Sequence, residues 1–212
     1  MRKASFVIQN EKNKDMNPAC NELSLSEAVH AIQDGSVTSE SLVQACLDRI
    51  RERENSVGAW IHFDEEKALE QARKCDEGPA RGPLHGIPVL LKDNIDTADG
   101  MPNTAGSVLF ANNFPADDAF LVKELRAEGA IILGKANLSE WANFRSTRSS
   151  SGWSGAGGQA VNPYDATRST CGSSAGSASA VAADFTALAV GTETDGSLVC
   201  PAAVNGIVTI KP

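Results

Sequence analysis

Three short segments of this 212-residue chain carry side chains able to do nucleophilic chemistry: Lys92 ending an apolar run, the pair Ser173 and Ser174 beside Gly172, and Ser197 beside Gly196. Each stands on a glycine-flanked loop or at a strand end rather than inside a helix pattern. Singly, each has a plain explanation, because a strand-end lysine is usually solvated and a serine next to glycine usually makes a turn. Together they supply a nucleophilic hydroxyl, a relay hydroxyl and an amine base. Such an amine works near neutral pH only if burial lowers its pKa enough to leave it unprotonated. The glycine beside Ser197 frees the backbone to turn N–H groups toward a substrate oxygen. Two of the three histidines, His30 and His62, lie in the N-terminal third. Hydrolytic chemistry in the later half therefore has to find another base within this chain.

Three better-known patterns nearly match and fail on context. Gly129 to Lys135 has the spacing of a phosphate-binding loop, but Ala136 replaces the hydroxyl residue that would hold magnesium, and Ile131-Ile132-Leu133 reads as a strand. Gly172-Ser173-Ser174-Ala175-Gly176 fits the nucleophile-elbow pattern, yet Tyr164 to Cys171 ahead of it is too polar for the buried strand an elbow needs. Asn137-Leu138-Ser139 fits a glycosylation acceptor, which means little without a secretion signal.

The elements that must position these side chains can be read from periodicity. Ser24 or Ser26 can start a short helix that Gly35 ends. Thr38 can cap a longer one whose apolar face is Leu42, Val43, Cys46, Leu47 and Ile50. An apolar run from Ala59 to Phe63 and a helix from Glu65 to Cys75 follow, before the Gly/Pro break at 78–83. Ile87 to Leu91 predicts a strand with Lys92 at its end, 118–128 a helix closed by Gly129, and Ala130 to Leu133 a second strand. Strand, helix and strand in that order imply a βαβ crossover and a largely parallel sheet.

Residues 145–179 hold ten serines and six glycines, a composition that out of context suggests a linker. Trp153, Pro163 and Tyr164 argue for a structured, backbone-rich site instead. So does the small-residue helix pattern that follows from Ala175 to Phe185. A strand at Ala187 to Val190, a polar loop at Gly191 to Ser197 and a final apolar strand from Ile207 are expected after it.

Composition narrows the classes. The net charge is −8, and no Lys/Arg cluster offers the footprint that nucleic-acid binding needs. The five cysteines (Cys20, Cys46, Cys75, Cys171 and Cys200) are odd in number and widely spaced with no Cys-x-x-Cys pair, so they read as small buried apolar residues. The apolar patch Phe6-Val7-Ile8 is too short for a signal peptide or a membrane span, which makes a cytoplasmic location the expectation.

From Leu84 onward the sequence resembles the amidase signature hydrolases, which use a Ser-cisSer-Lys triad. The resemblance is carried, in order, by Gly86-Ile-Pro-Val-Leu-Leu-Lys92-Asp-Asn-Ile-Asp, Gly134-Lys-Ala-Asn-Leu-Ser-Glu-Trp141, Asn162-Pro163, Cys171-Gly-Ser-Ser-Ala-Gly-Ser177 and Gly191-Thr-Glu-Thr-Asp-Gly-Ser197. It implies Lys92 as base, Ser173 as the cis-peptide relay and Ser197 as nucleophile. The N–H groups of Thr194, Asp195, Gly196 and Ser197 would form the oxyanion hole, with no metal and no cofactor. It also implies an α/β amidase signature fold, a largely parallel mixed sheet flanked by helices, of which only the N-terminal part is present. Residues 1–77 would form a helical layer and 78–212 an incomplete core, as one domain overall.

The expected reaction is hydrolysis of a carboxamide C–N bond through a serine acyl-enzyme, releasing ammonia or an amine. The substrate would be a small-molecule or peptide amide, with neither nucleic acid nor membrane as partner, and the exposed sheet edge could self-associate. Val199 stands where many members carry Arg. This difference, with Trp141 and Ser151-Gly152-Trp153-Ser154-Gly155, is closer to the peptide-amidase-like branch and its C-terminal peptide amides. A glutaminase-type component of an amidotransferase and a catalytically incomplete fragment are the two alternatives.

Overall fold

The structure is a computed structural model that describes residues 19–212; the expectation for the Phe6-Val7-Ile8 patch lies outside the described residues. The described residues open with a short 3-10 turn (Cys20–Glu22), followed by two capped helices. In α1 (Leu25–Gln33) the Ser24 side chain accepts the Glu27 N–H while Glu27 reaches back to the Ser24 N–H, and Gly35 takes the positive φ that ends the helix. In α2 (Ser39–Val57) Thr38 and Ser41 exchange the same pair of bonds, and the Asp76 carboxylate accepts two further first-turn N–H groups, from Ser39 and Glu40. These bonds satisfy donors that a helix start leaves open. Leu42, Val43, Cys46, Leu47 and Ile50 are buried, as the spacing predicts.

Next come β1 (Trp60–Phe63), α3 (Glu65–Glu77), β2 (Pro88–Lys92), α4 (Phe120–Ala127) and β3 (Ile131–Ala136). A two-stranded hairpin of β4 (Trp153–Ser154) and β5 (Gly158–Gln159) precedes α5 (Ala175–Ala182), β6 (Leu188–Val190) and α6 (Val199–Val204). The main sheet has the order β1-β3-β2-β6; β2 pairs in parallel with β3 and with β6, and only β1 runs antiparallel, against β3. This is the expected largely parallel mixed sheet flanked by helices. Gly129 to Leu133 leads into β3 rather than into a phosphate cradle.

Both faces of the sheet are covered, so β2 and β3 are buried along their whole length and read as unbroken apolar runs. Leu90, Ile131 and Leu133 pack on one face with residues of α2, α3 and α5, while Val89, Leu91 and Ile132 pack on the other with Val122 of α4. Side chains alternate along a strand, so Lys92 falls on the same face as Leu90, beneath α5. The helix α5 can come this close to the sheet because it is built of small residues. A Cβ on Gly176 would press into the carbonyl oxygens of Ala59 and Asn137.

The Gly/Ser-rich stretch is structured, for a reason its composition hides: two buried polar side chains satisfy its backbone. The Asn137 amide nitrogen donates to the carbonyls of Gly58, Gly157 and Gly158, while its oxygen accepts from Ser154 and the Leu138 N–H. Ser139 Oγ accepts the Gly152 N–H at 2.8 Å, and the Ser139 N–H donates to the Ser173 carbonyl at 3.0 Å.

Two expectations need correction. Cys171 and Cys200 are not separate apolar residues but a disulfide with a Cα–Cα distance of 6.0 Å; they are 29 residues apart in sequence and meet only because α5 and β6 fold the chain back on itself. The apolar run from Ile207 forms no strand: among the described residues it has no partner strand, and Val208 and Ile210 are almost fully exposed. β-branched residues favour a strand only where a neighbouring strand can bond them. Among the described residues no helix is long and apolar enough to cross a membrane.

This packing makes two predictions about stability. Gly176→Ala should destabilise the fold by about 1–3 kcal/mol, since backbone rather than a flexible side chain must yield, and denaturant unfolding would measure it. Replacing both Cys171 and Cys200 by Ser should cost about 3–4 kcal/mol, from the loop the bridge closes. An unchanged unfolding midpoint under oxidising conditions would contradict the second.

Candidate active site

The sequence-predicted residues converge at the C-terminal end of β2. Lys92 is fully buried, and its Nζ donates to Ser173 Oγ at 2.7 Å and to the Thr192 carbonyl at 3.1 Å. Burial pulls the Lys92 pKa down to about 7, opposed only by the negative charge of Glu193. The amine is thus partly neutral near pH 7, the condition that the sequence set for a lysine base.

Ser173 and Ser174 lie immediately ahead of α5, and the Gly172–Ser173 peptide bond is cis. Ser173 is buried. Ser174 ties this turn to the loop after β6: its N–H donates to the Ser197 carbonyl at 3.1 Å, and its hydroxyl both donates to the Thr192 carbonyl and accepts the Thr192 N–H. The disulfide adds a covalent tie between the same two segments, two residues before Ser173 and three after Ser197.

Ser197 sits in the polar loop ahead of α6 at 8% exposure. Its hydroxyl has no hydrogen-bond partner among the described residues, so the Ser173–Ser197 bond that a relay requires is not made in this structure. The four backbone N–H groups of the expected oxyanion hole divide into two kinds. Gly196 N–H is already committed to Glu193 Oε1 at 2.7 Å. Those of Thr194, Asp195 and Ser197 have no acceptor among the described residues.

Neighbouring groups that spacing alone does not single out complete the setting. Thr192 contributes its carbonyl to Lys92 and its hydroxyl to Asn94, whose amide donates to it at 2.9 Å. Directly after Lys92, Asp93 meets Lys135 of β3 at 3.7 Å, both fully buried. Lys135 Nζ donates to the Pro102 carbonyl, while Asp93 accepts from the Thr104 N–H and hydroxyl. Burial pushes the Asp93 carboxyl up and the Lys135 ammonium down. A charged residue in an otherwise apolar strand is the one signal by which the sequence could have flagged this pair. Among the described residues no group of three or more His, Cys, Asp or Glu side chains is placed to hold a metal ion.

Comparison with known proteins identifies the family. The amidase family model matches residues 41–212. Peptide amidase from Stenotrophomonas maltophilia is 49% identical with a TM-score of 0.82, the alignment covering 87% of this chain and 39% of that one. An amidase family protein from Bacillus anthracis is 41% identical with a TM-score of 0.82, over 91% of this chain and 41% of the other. A putative amidase of Schizosaccharomyces pombe is 40% identical over 92% of this chain and 35% of its own length. A glutamyl-tRNA(Gln) amidotransferase component from Streptomyces avermitilis is 41% identical over 93% of this chain and 39% of its own length. The chain thus spans about two fifths or less of each of these relatives. With the fold in place and the motifs in order, the chain belongs to the amidase, or amidase signature, family.

Proposed function

We propose that this protein hydrolyses a carboxamide C–N bond through a serine acyl-enzyme, with Lys92, Ser173 and Ser197 as the catalytic residues. The observation that carries the reading is the buried Lys92 amine, held near neutrality and bonded to Ser173 Oγ at 2.7 Å. Neutral Lys92 takes the Ser173 proton as Ser173 takes that of Ser197, and Ser197 Oγ bonds to the amide carbon. This step needs the free Ser197 hydroxyl to turn within hydrogen-bond reach of Ser173 Oγ. The oxyanion falls to the N–H groups of Thr194, Asp195 and Ser197, because the Gly196 N–H is already taken. The proton returns through Ser173 to the leaving nitrogen as the C–N bond breaks. Water then cleaves the ester, giving the carboxylic acid and freeing Ser197.

Substrate class is supported by a cleft of about 390 Å³ that starts at Asn94, two residues past the base. Phe110 and Trp141 wall it, edge to face with ring centroids 5.1 Å apart, beside the amides of Asn103 and Asn113, and no charged side chain among the described residues lines it. An uncharged aromatic and amide lining suits a neutral peptide-like carboxamide better than free glutamine, which carries a carboxylate and an ammonium. This favours the peptide-amide reading over the glutaminase one. As to location, the Cys171–Cys200 disulfide favours an oxidising compartment over the cytoplasmic location expected from composition.

A fluorophosphonate probe should label Ser197 of the folded chain and not of an unfolded control. Ser197→Ala should abolish the adduct, and Lys92→Met should slow labelling by about 100- to 10,000-fold at neutral pH. Because the neutral amine is the active form, the wild-type rate should climb with pH through a midpoint at about 7 and then level off. An N-acyl peptide amide should release ammonia faster than glutamine does. Undiminished labelling in Ser197→Ala would overturn the assignment.

A further inference from the structure

Glu193, four residues ahead of Ser197, has no role in the chemistry described so far. Its carboxylate nevertheless makes an unusual set of contacts: Oε1 accepts the Gly196 N–H at 2.7 Å, and Oε2 accepts those of Leu198 at 2.9 Å and Val199 at 3.2 Å. The residues on either side of Ser197 are therefore gripped by one side chain, while the N–H and hydroxyl of Ser197 are left open. A carboxylate offers about four lone-pair positions on two oxygens, and its bonds to N–H groups are charge-assisted, so it suits this task better than a neutral amide. Burial alone would push the Glu193 carboxyl up, but the N–H bonds from Leu198, Val199 and Gly196, together with the positive charge of Lys211, hold it below the usual range.

The same residue sits in the loop that meets the base. Glu193 follows Thr192, whose carbonyl receives Lys92 Nζ, and it is the one charged group acting on Lys92 among the described residues. The other groups that face Lys92 are the uncharged Ser173 from the turn ahead of α5 and Thr192 from the loop after β6. Asp93 and Lys135, the nearest other buried charges, pair with each other.

We infer that Glu193 is a positioning residue for the amidase reaction: one carboxylate fixes the peptide groups on both sides of the nucleophile. The assignment rests on the amidase reading above. It differs from a simple helix cap on α6, because the same carboxylate also holds the Gly196 N–H on the other side of Ser197.

The test is fluorophosphonate labelling of Ser197 against pH in wild type, Glu193→Gln and Glu193→Asp, with amide hydrogen exchange of the same proteins. Glu193→Gln keeps the shape but loses the charge and one acceptor. It should slow labelling on the alkaline plateau by about 100-fold, the scale of a slightly misplaced nucleophile. Its midpoint should move to lower pH, since removing a negative charge makes Lys92 easier to deprotonate. Exchange at Gly196, Leu198 and Val199 should speed up while β2 stays protected. Glu193→Asp, which keeps the charge, should keep the wild-type midpoint and recover part of the rate. Wild-type labelling with an unchanged rate and midpoint in Glu193→Gln would overturn the inference and leave the amidase reading standing. An unlabelled wild type would overturn the reading and, with it, the inference.

Discussion

The burial of one amine shapes the half of the molecule built around β2. An ammonium removed from water is costly unless it finds partners or loses its proton, and Lys92 does some of each. It reaches Ser173 Oγ and the Thr192 carbonyl, and burial brings its pKa to about 7. Lys135, one strand away and equally buried, faces the same cost and meets it differently, with the Asp93 carboxylate at 3.7 Å. One buried lysine is thus matched by a charge, while the other makes no ion pair among the described residues.

Keeping Lys92 dry requires the sheet to be closed around it. β2 lies between β3 and β6, and α5 covers the face on which Lys92 projects. That closeness is possible only because α5 is made of small residues, with Gly176 against the backbone of Ala59 and Asn137. The same approach delivers the Ser173–Ser174 turn to the amine. A larger side chain on this helix face would lift the Ser173 hydroxyl away from the Lys92 amine.

The two loops that carry the serines are irregular, and irregular backbone needs fixed partners for its polar groups. Asn137, Ser139, Ser174 and Glu193 provide them, each by bonding backbone groups of a segment distant in sequence or folded back on itself. The Cys171–Cys200 disulfide joins these loops beside the serines. A Gly/Ser-rich composition that in isolation describes a flexible linker becomes a rigid site once such side chains are in place.

Local physics makes much of this legible in advance. The caps at Ser24 and Thr38, the apolar spacing of α2 and the doubly buried runs of β2 and β3 are properties of short segments, and they appear where the residues require. The resemblance to the amidase signature family is what singles out Lys92, Ser173 and Ser197. What the sequence could not decide depends on neighbours far along the chain. Cys171 meets Cys200 only through the return of the chain across α5 and β6; Ile207 to Ile210 has strand-forming residues but no strand beside it. Glu193 looks like any loop acid until three N–H groups are seen to converge on it. Residue types and spacing determined which groups could react. Only the tertiary structure, by excluding water from Lys92 and folding the loops around Ser197, decided their protonation and which N–H groups remain free.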